Sequence, residues 1–271
     1  MQLSELVIGV KGAGEQATGT AWRLYQSNFR KIFMMDIEAP LAIRRHVAFS
    51  EAIFCGCKKV ESVEAQHACD PEGVHRIWRD NKIAVVVDPH WEFLRHLKPH
   101  VLIDATIAKR NLGTTMADAP LVIGMGPGFV AGESVHMVVE THRGHHLGRV
   151  IDSGHAQPNT GIPGTIGGFS KERLVRAPGN GNFKSSLGIG SKINRGDIVG
   201  FVENLPVKAQ ISGVVRGLIR CGTPVRKGLK IGDIDPRGEA AFCATISEKS
   251  RAIAGGVIEA ILRMYNGQEK G

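Results

Sequence analysis

A glycine-rich turn near the start of the chain is the first segment whose residue types suit a chemical role. Gly12-Ala13-Gly14-Glu15-Gln16-Ala17 fits the pattern G-x-G-x-x-A and lies between an apolar run at 5–10 and a stretch with helical apolar spacing. Gly12 permits a tight turn, and Gly14 lets backbone N–H groups approach a pyrophosphate at the positive end of the helix. The turn, with Ala17 as its last position, therefore predicts a nucleotide-type site. The alternative is that these glycines only allow the helix to pack closely on the sheet.

An acidic residue follows at the spacing that dinucleotide-binding turns use for a ribose contact. Asp36 ends the second strand-like run, 31–35, and stands 22 residues after Gly14; Glu38 comes two residues later. A carboxylate about 20 residues beyond the glycine turn accepts ribose hydroxyls in such sites. We therefore predict that Asp36 contacts the ligand, with Glu38 as the alternative.

Two more groups follow apolar runs further along the chain. They are Asp104, Lys109, Arg110 and Asn111 after the run 101–103, and Gly126 and Gly128 after the run 121–123. Ligands of open α/β folds bind at the carboxyl ends of the strands, so both groups are predicted to face an anionic ligand. Ordinary turn formation is the alternative for each group.

The histidines and cysteines suggest a metal site only at first sight. His142, His145 and His146, with His155 nearby, include one helical i,i+4 pair, but Gly144 interrupts it and no carboxylate stands at the right interval. Cys55-Gly56-Cys57 is too short for a zinc C-x-x-C hook. We therefore predict no metal site and expect the histidines to form a polar loop that faces a ligand.

Apolar runs that alternate with helical segments predict an α/β fold. Residues 1–165 are expected to form a Rossmann-like, mainly parallel sheet domain that binds a nucleotide or cofactor. Short strands with frequent glycines then predict a small β module over 166–245. Residues 246–271, which open with the capping residue Ser247, predict a C-terminal helix docked on the core.

An internal repeat marks the β module. Residues 193–200 are echoed at 225–232, and together with 207–215 they resemble the barrel-sandwich fold of biotinyl and lipoyl domains. Those domains carry their prosthetic group on a lysine at a hairpin tip. The corresponding tip at 203–206 has no lysine, and Lys208 lies beyond it, so we expect no lipoyl or biotinyl group.

Composition excludes several classes of protein. The 271 residues carry a formal charge of +8, but the basic residues are dispersed, and 3 Trp, 2 Tyr and 10 Phe offer few stacking surfaces for nucleic acid. The uncharged, apolar-rich run 119–132 contains two prolines and four glycines, which is unlike a membrane span. The first residues also lack a signal-peptide pattern. We therefore expect a cytoplasmic protein that binds neither nucleic acid nor membrane.

Further segments, found in order along nearly the whole chain, carry a family resemblance. They are 12–19, 40–45, 49–52, 88–89, 108–114, 123–132, 140–141, 143–145, 158–161, 232–237 and 246–260. Together they resemble the selenium-dependent molybdenum hydroxylase accessory proteins. That family usually shows Asp-Leu where Glu15-Gln16 stands here, a change that keeps the acidic charge. The first half is also distantly similar to the Rossmann part of chaperones that deliver sulfurated molybdenum cofactor to xanthine dehydrogenase.

The resemblance implies a maturation factor whose partner is a selenium-dependent molybdenum hydroxylase. The ligand it favours is an anionic, pyrophosphate-containing molybdopterin-type cofactor, because a glycine turn that suits NAD also suits other dinucleotide-like anions. The alternative function is an NAD(P)-dependent oxidoreductase, which would bind NAD(P) at the same turn. A homo-oligomer is compatible with either function.

Overall fold

A computed structural model describes residues 2–266, which divide by their contacts into two compact units. The first unit contains the residues up to Pro40, Ala48–Asn159 and the chain from Ile246 onward. The second contains Leu41–Val47 and Thr160–Thr245. The sequence-based division at 165 had assigned 41–47 to the first unit. Residues 267–271 of the predicted C-terminal helix lie outside the described residues.

The first unit is built on a nine-stranded sheet of order β3-β4-β5-β2-β1-β6-β7-β8-β9. Its strands are β1 (Val7–Lys11), β2 (Lys31–Asp36), β3 (Cys57–Val60), β4 (Val63–Ala68), β5 (Ile83–Val87), β6 (Val101–Asp104), β7 (Leu121–Met125), β8 (Met137–Val139) and β9 (Val150–Ile151). All neighbouring strands are parallel except β3 with β4 and β8 with β9, at the two edges. The predicted α/β fold with a mainly parallel sheet is confirmed.

The central strands are apolar almost throughout because both faces of the sheet are covered. In β5, β6 and β7 nearly every residue is buried, as in Ile83–Val87, where only the last residue is partly exposed. Such continuous apolar runs are typical of parallel strands, whereas half-exposed antiparallel strands alternate. Phe33, Val86, Leu102 and Val122 belong to one core cluster, which joins neighbouring strands of this sheet.

Five helices accompany this sheet. They are α1 (Glu15–Gln26), α2 (Glu51–Cys55), α3 (Pro71–Arg79), α4 (Phe93–Leu97) and α5 (Glu248–Tyr265). The sequence specifies two of their starts: Asp70 accepts a hydrogen bond from Gly73 N at 2.6 Å, and Ser247 accepts one from Ser250 N at 3.3 Å. Within residues 2–266, none of the helices combines the length and the hydrophobicity that spanning a lipid bilayer requires.

The second unit consists of two four-stranded antiparallel sheets, of order β10-β17-β15-β12 and β14-β13-β11-β16. Its strands are β10 (Leu174–Arg176), β11 (Gly181–Lys184), β12 (Lys192–Ile193), β13 (Ile198–Val202), β14 (Leu205–Lys208), β15 (Gly213–Leu218), β16 (Pro224–Val225) and β17 (Lys230–Asp235). Short 3-10 helices occur in both units, at Leu3–Glu5, Arg45–Val47, Met116–Asp118, Lys171–Arg173 and Ala240–Cys243. The predicted small β module is therefore present, and Lys208 pairs with Ile198 inside the β13–β14 ladder.

Helix α5 approaches the backbone before β9 so closely that one of its glycines has no room for a side chain. A Cβ atom on Gly256 would overlap the carbonyl oxygen of Gly148, a backbone atom that cannot rotate away. The neighbouring Gly255 has open space at the same position. The helix therefore has room for a side chain at Gly255 and none at Gly256.

We expect Gly256→Ala to lower the free energy of unfolding by about 1–3 kcal/mol because the new methyl group overpacks this contact. Gly255→Ala, the matched control, is expected to raise it by about 0.5–1 kcal/mol, the usual gain in helix propensity. Urea and thermal unfolding of both variants measure the difference. Equal effects of the two substitutions would contradict the close approach.

Candidate functional site

The candidate site lies at the carboxyl edge of the large sheet, where the strand order reverses. Strands β2 to β5 all lie on one side of β1, and the chain then crosses to β6 on the other side of β1. Ligands of open α/β sheets bind at such a switch point. The loop after β1 contacts the loop after β6 there, and the loop after β6 in turn contacts the loop after β7. A Cβ on Gly12 would lie 3.1 Å from Ala105 O, and one on Gly128 would lie 2.7 Å from Arg110 N.

The glycine turn leaves the start of α1 open. Gly12 has φ +92°, which a side chain rarely tolerates, and its N–H donates to Met35 O at 2.7 Å. Gly14 is the N-cap residue, and no side chain caps the helix. A Cβ on Gly14 would meet no heavy atom within 4 Å. The N–H groups of the first helical turn have no intrahelical acceptor, so they offer donors and a partial positive charge to an anion.

Asp36 is bound to the glycine turn. Its carboxylate accepts hydrogen bonds from Ala13 N and Ile37 N, both at 2.8 Å. Burial raises the pKa of this carboxyl above its usual value, and the two backbone N–H bonds offset part of that rise. Asp36 therefore lies beside the turn, as its spacing suggested, but its oxygens hold the turn in shape.

Asp104 forms part of a buried polar chain that ends on Lys11. The carboxylate of Asp104 accepts from Thr106 N and Oγ1 and from Thr114 Oγ1, the last at 2.7 Å. Thr114 Oγ1 in turn accepts from Lys11 Nζ at 2.8 Å. Asp104 is therefore surrounded by protein donors and supports the loop after β6.

Lys11 is a site residue that the sequence analysis missed. It is the last residue of β1 and is only 1% exposed, although lysine is almost never fully buried without a partner. Its ammonium donates to Thr114 Oγ1 and to Asp118 Oδ2, at 2.8 and 3.0 Å, and lies 5.1 Å from the Trp91 ring centroid. The sequence signal that could have identified Lys11 is its position as a single charged residue at the end of an otherwise apolar run.

Lys109 and Arg110 are the free cations of the site. Both side chains are exposed, and neither forms a hydrogen bond or ion pair with any residue in 2–266. Ile107 and Lys109 have φ of +54° and +63°, an unusual backbone for a β-branched residue in particular. The side chain of Asn111 holds this loop by bonding Gly113 N and Thr114 N and O, at 2.7–2.9 Å. Of the predicted trio, Asn111 is thus engaged in its own loop, whereas the two cations are available.

The glycine-containing loop after β7 contacts the neighbouring loops through its backbone. Gly126 and Gly128 have φ of +82° and +112°, and the N–H of Gly126 donates to Val139 O at 2.9 Å. A Cβ on either residue would overlap Thr141 or the backbone of Arg110. Both glycines therefore allow the loops after β6 and β7 to touch.

The start of α5 lies beside the start of α1. Ser247 Oγ donates to Glu15 at 3.3 Å and Ser250 Oγ donates to Gln16 at 3.1 Å. Lys249, in the first turn of α5, is half-buried. Burial chiefly, and the nearby charge of Arg143, lower the pKa of this amine below its usual value. Sequence reasoning did not find Lys249, because its surroundings come from distant parts of the chain.

The predicted histidine loop lies beside a cavity, and the two neighbouring cysteines are at the surface. His146 and His155 line one cavity together, and His145 packs against His146 at a ring distance of 5.0 Å. Cys55 and Cys57 are exposed free thiols. Within residues 2–266, no group of three or more His, Cys, Asp and Glu side chains is arranged to hold a metal ion.

We expect Lys11→Met to lower the free energy of unfolding by about 2–3 kcal/mol, because it leaves Thr114 and the carboxylate of Asp118 without their buried donor. Lys31→Met is the matched control: Lys31 starts the adjacent strand, and its ion pair with Glu5 is exposed at both ends. An ion pair so exposed to solvent is screened and adds little to stability. Urea unfolding of the two variants tests the difference, and equal losses would contradict a structural role for Lys11.

No family model matches the chain. The chain is 45% identical over 262 residues, or 97% of its length, to a protein of Escherichia coli (strain K12) named "Uncharacterized protein YqeB". It spans about half of that relative, 48% of its length. The chain is thus similar, along nearly its whole length, to one part of that longer protein.

Solved structures with partial likeness include members of the aspartoacylase group. An aspartoacylase family protein from Mesorhizobium loti is 10% identical over 84% of both chains, with a TM-score of 0.27. The ectoine utilization protein EutE (DoeB) from Ruegeria pomeroyi is 8% identical over 84% of this chain and 56% of its own, with a TM-score of 0.24. These scores are low, so the fold assignment rests on the strand order and register given above.

Proposed function

We propose that the chain is a maturation factor for a selenium-dependent molybdenum hydroxylase and that it binds a pyrophosphate-containing molybdopterin-type cofactor at the glycine turn. The observation that carries the binding proposal is the uncapped start of α1, with open space at Gly14 and the free cations Lys109 and Arg110 on the adjoining loop. The choice of partner enzyme comes from the family resemblance of the sequence. Homology to YqeB is compatible with it and names no activity.

The residues at the turn fit an anionic group. Backbone N–H donors at a helix start bind phosphate oxygens without a side chain, and the space above Gly14 is where a phosphate would be accommodated. Lys109 and Arg110 would add charge-assisted hydrogen bonds. When bound, the cofactor would supply the molybdenum chemistry, while these residues bind and orient its pyrophosphate.

NAD(P) is the alternative ligand, and Asp36 is the observation that bears on it. Asp36 stands at the carboxyl end of β2, where dinucleotide-binding folds place their ribose-binding acid. Here each of its oxygens already accepts a backbone N–H. Asp36 is therefore better suited to holding the turn than to selecting a ribose, which favours a ligand recognised mainly through its pyrophosphate.

We expect Gly14→Val to weaken binding of inorganic pyrophosphate by at least about tenfold, since the side chain would occupy the space left for the phosphate. The fold should survive, because Gly14 has an ordinary φ of −71° and no neighbour in reach of a Cβ. Calorimetry with pyrophosphate and with NAD+ measures the effect and separates the two ligands. Gly255→Ala serves as control. Unchanged pyrophosphate affinity in folded Gly14→Val would show that the turn is only structural.

In cells, we expect Lys109→Ala combined with Arg110→Ala to leave the partner hydroxylase folded but inactive, because each charge-assisted hydrogen bond contributes about 1.5–3 kcal/mol to holding the cofactor. The assay is molybdenum hydroxylase activity in a deletion strain complemented with either form, with selenium supplied. Lys192→Ala with Lys227→Ala, which removes two exposed cations from the second unit, is the matched control. Wild-type hydroxylase activity in the deletion strain itself would reject the maturation role.

A further inference from the structure

A cavity of about 490 Å³ lies in the first unit, walled by residues between Glu140 and Pro158. Its size is in the range of small-molecule sites. The segment includes β9 and the loops on either side of it, and it contains two of the histidines that the sequence analysis assigned to a polar, ligand-facing loop. None of the residues assigned to the glycine turn or to the loop after β6 lines it.

The acidic residues of the cavity are already satisfied by protein groups. Glu140 accepts hydrogen bonds from His142 N at 2.6 Å and from Gln157 N at 2.7 Å, one on each carboxylate oxygen. Asp152 is paired with Arg263, whose Nη1 lies 3.1 and 3.0 Å from its two oxygens. Neither carboxylate therefore needs a cation from a ligand.

The basic residues of the same cavity are not satisfied. The side chains of Arg149, His146 and His155 form no hydrogen bond or ion pair within the described chain, 2–266. The three come from the β8–β9 connection and from the loop after β9, which pairs back against β8, and all three line the same cavity. A guanidinium and two imidazoles that face one cavity provide donors for an oxyanion.

The rest of the wall mixes polar and apolar residues. Ser153 and Gln157 line it together with Val150, Ile151, Ala156 and Pro158, so a ligand that fills the cavity also covers hydrocarbon surface. Ligand sites commonly combine such surface with a few polar groups that orient the ligand.

We propose that this cavity is a second ligand site, separate from the glycine turn, that binds a small organic carboxylate. Arg149 holds the carboxylate group, His146 and His155 donate ring N–H groups to it, and Ile151 and its neighbours cover the apolar body. A site of this kind would let the level of an organic acid act on the protein independently of the cofactor proposed above.

The test uses benzoate, which joins a carboxylate to an apolar body and keeps its charge near neutral pH. NMR titrations compare it with acetate, which lacks the body, and with benzamide, which lacks the charge. Benzoate is expected to bind more tightly than either. Arg149→Met should weaken benzoate about 10- to 100-fold, the effect of losing a charge-assisted hydrogen bond. Arg79→Met, which alters another exposed arginine of the same unit, should change nothing.

The histidines are tested by substitution. His146→Ala combined with His155→Ala is expected to weaken benzoate binding about tenfold, because it removes both imidazole donors from the cavity wall. Equal affinities for benzoate and benzamide, no detectable binding of benzoate, or an unchanged affinity in Arg149→Met would each overturn the proposal. An unchanged affinity in the double variant would contradict the role of the two histidines.

Discussion

The burial of Lys11 is the constraint on which the carboxyl edge of the large sheet depends. A lysine ammonium inside a protein must be surrounded by acceptors, and here they come from Thr114 and Asp118, both on the segment between β6 and β7. Thr114 also bonds Asp104, so the central strand and the loop after β6 form one polar network. Satisfying this one buried charge therefore holds the segment between β6 and β7 against the end of β1.

The polar groups of this edge therefore fall into two classes. Asp36, Asp104 and Asn111 have their oxygens bound by backbone or hydroxyl donors of the loops at this edge, and they determine the shape of the edge. Lys109 and Arg110 are exposed and uncommitted, beside a helix start that no side chain caps. The backbone N–H donors at the start of α1 are held in place before a ligand arrives. They therefore lose little conformational entropy when an anion binds, which favours anion recognition.

The fold was predictable because its signal is local. Runs such as 83–87 and 101–103 are apolar without alternation, which is typical of strands in a sheet covered on both faces, and the glycine turn identified the start of α1. The partners of buried polar groups were not predictable. Lys11 donates a hydrogen bond to Thr114, which is 103 positions away in the sequence. Asp and Asn residues also occur in turns both with and without a ligand role, so the residue type alone does not assign one. Strand order decides those partners, and periodicity alone does not specify strand order.

The route of the chain through the two units has a consequence for synthesis on the ribosome. Leu41–Val47 belong to the second unit, where the backbone of Ile43 bonds Leu218 N at 2.8 Å and Arg44 bonds Thr245 O at 3.0 Å. The first unit in turn lacks α5 until the whole second unit has been translated. Neither unit can finish folding while the chain is still short, so both mature late and together. Nascent chains with such long-range closure expose apolar surface for longer and rely more on chaperones.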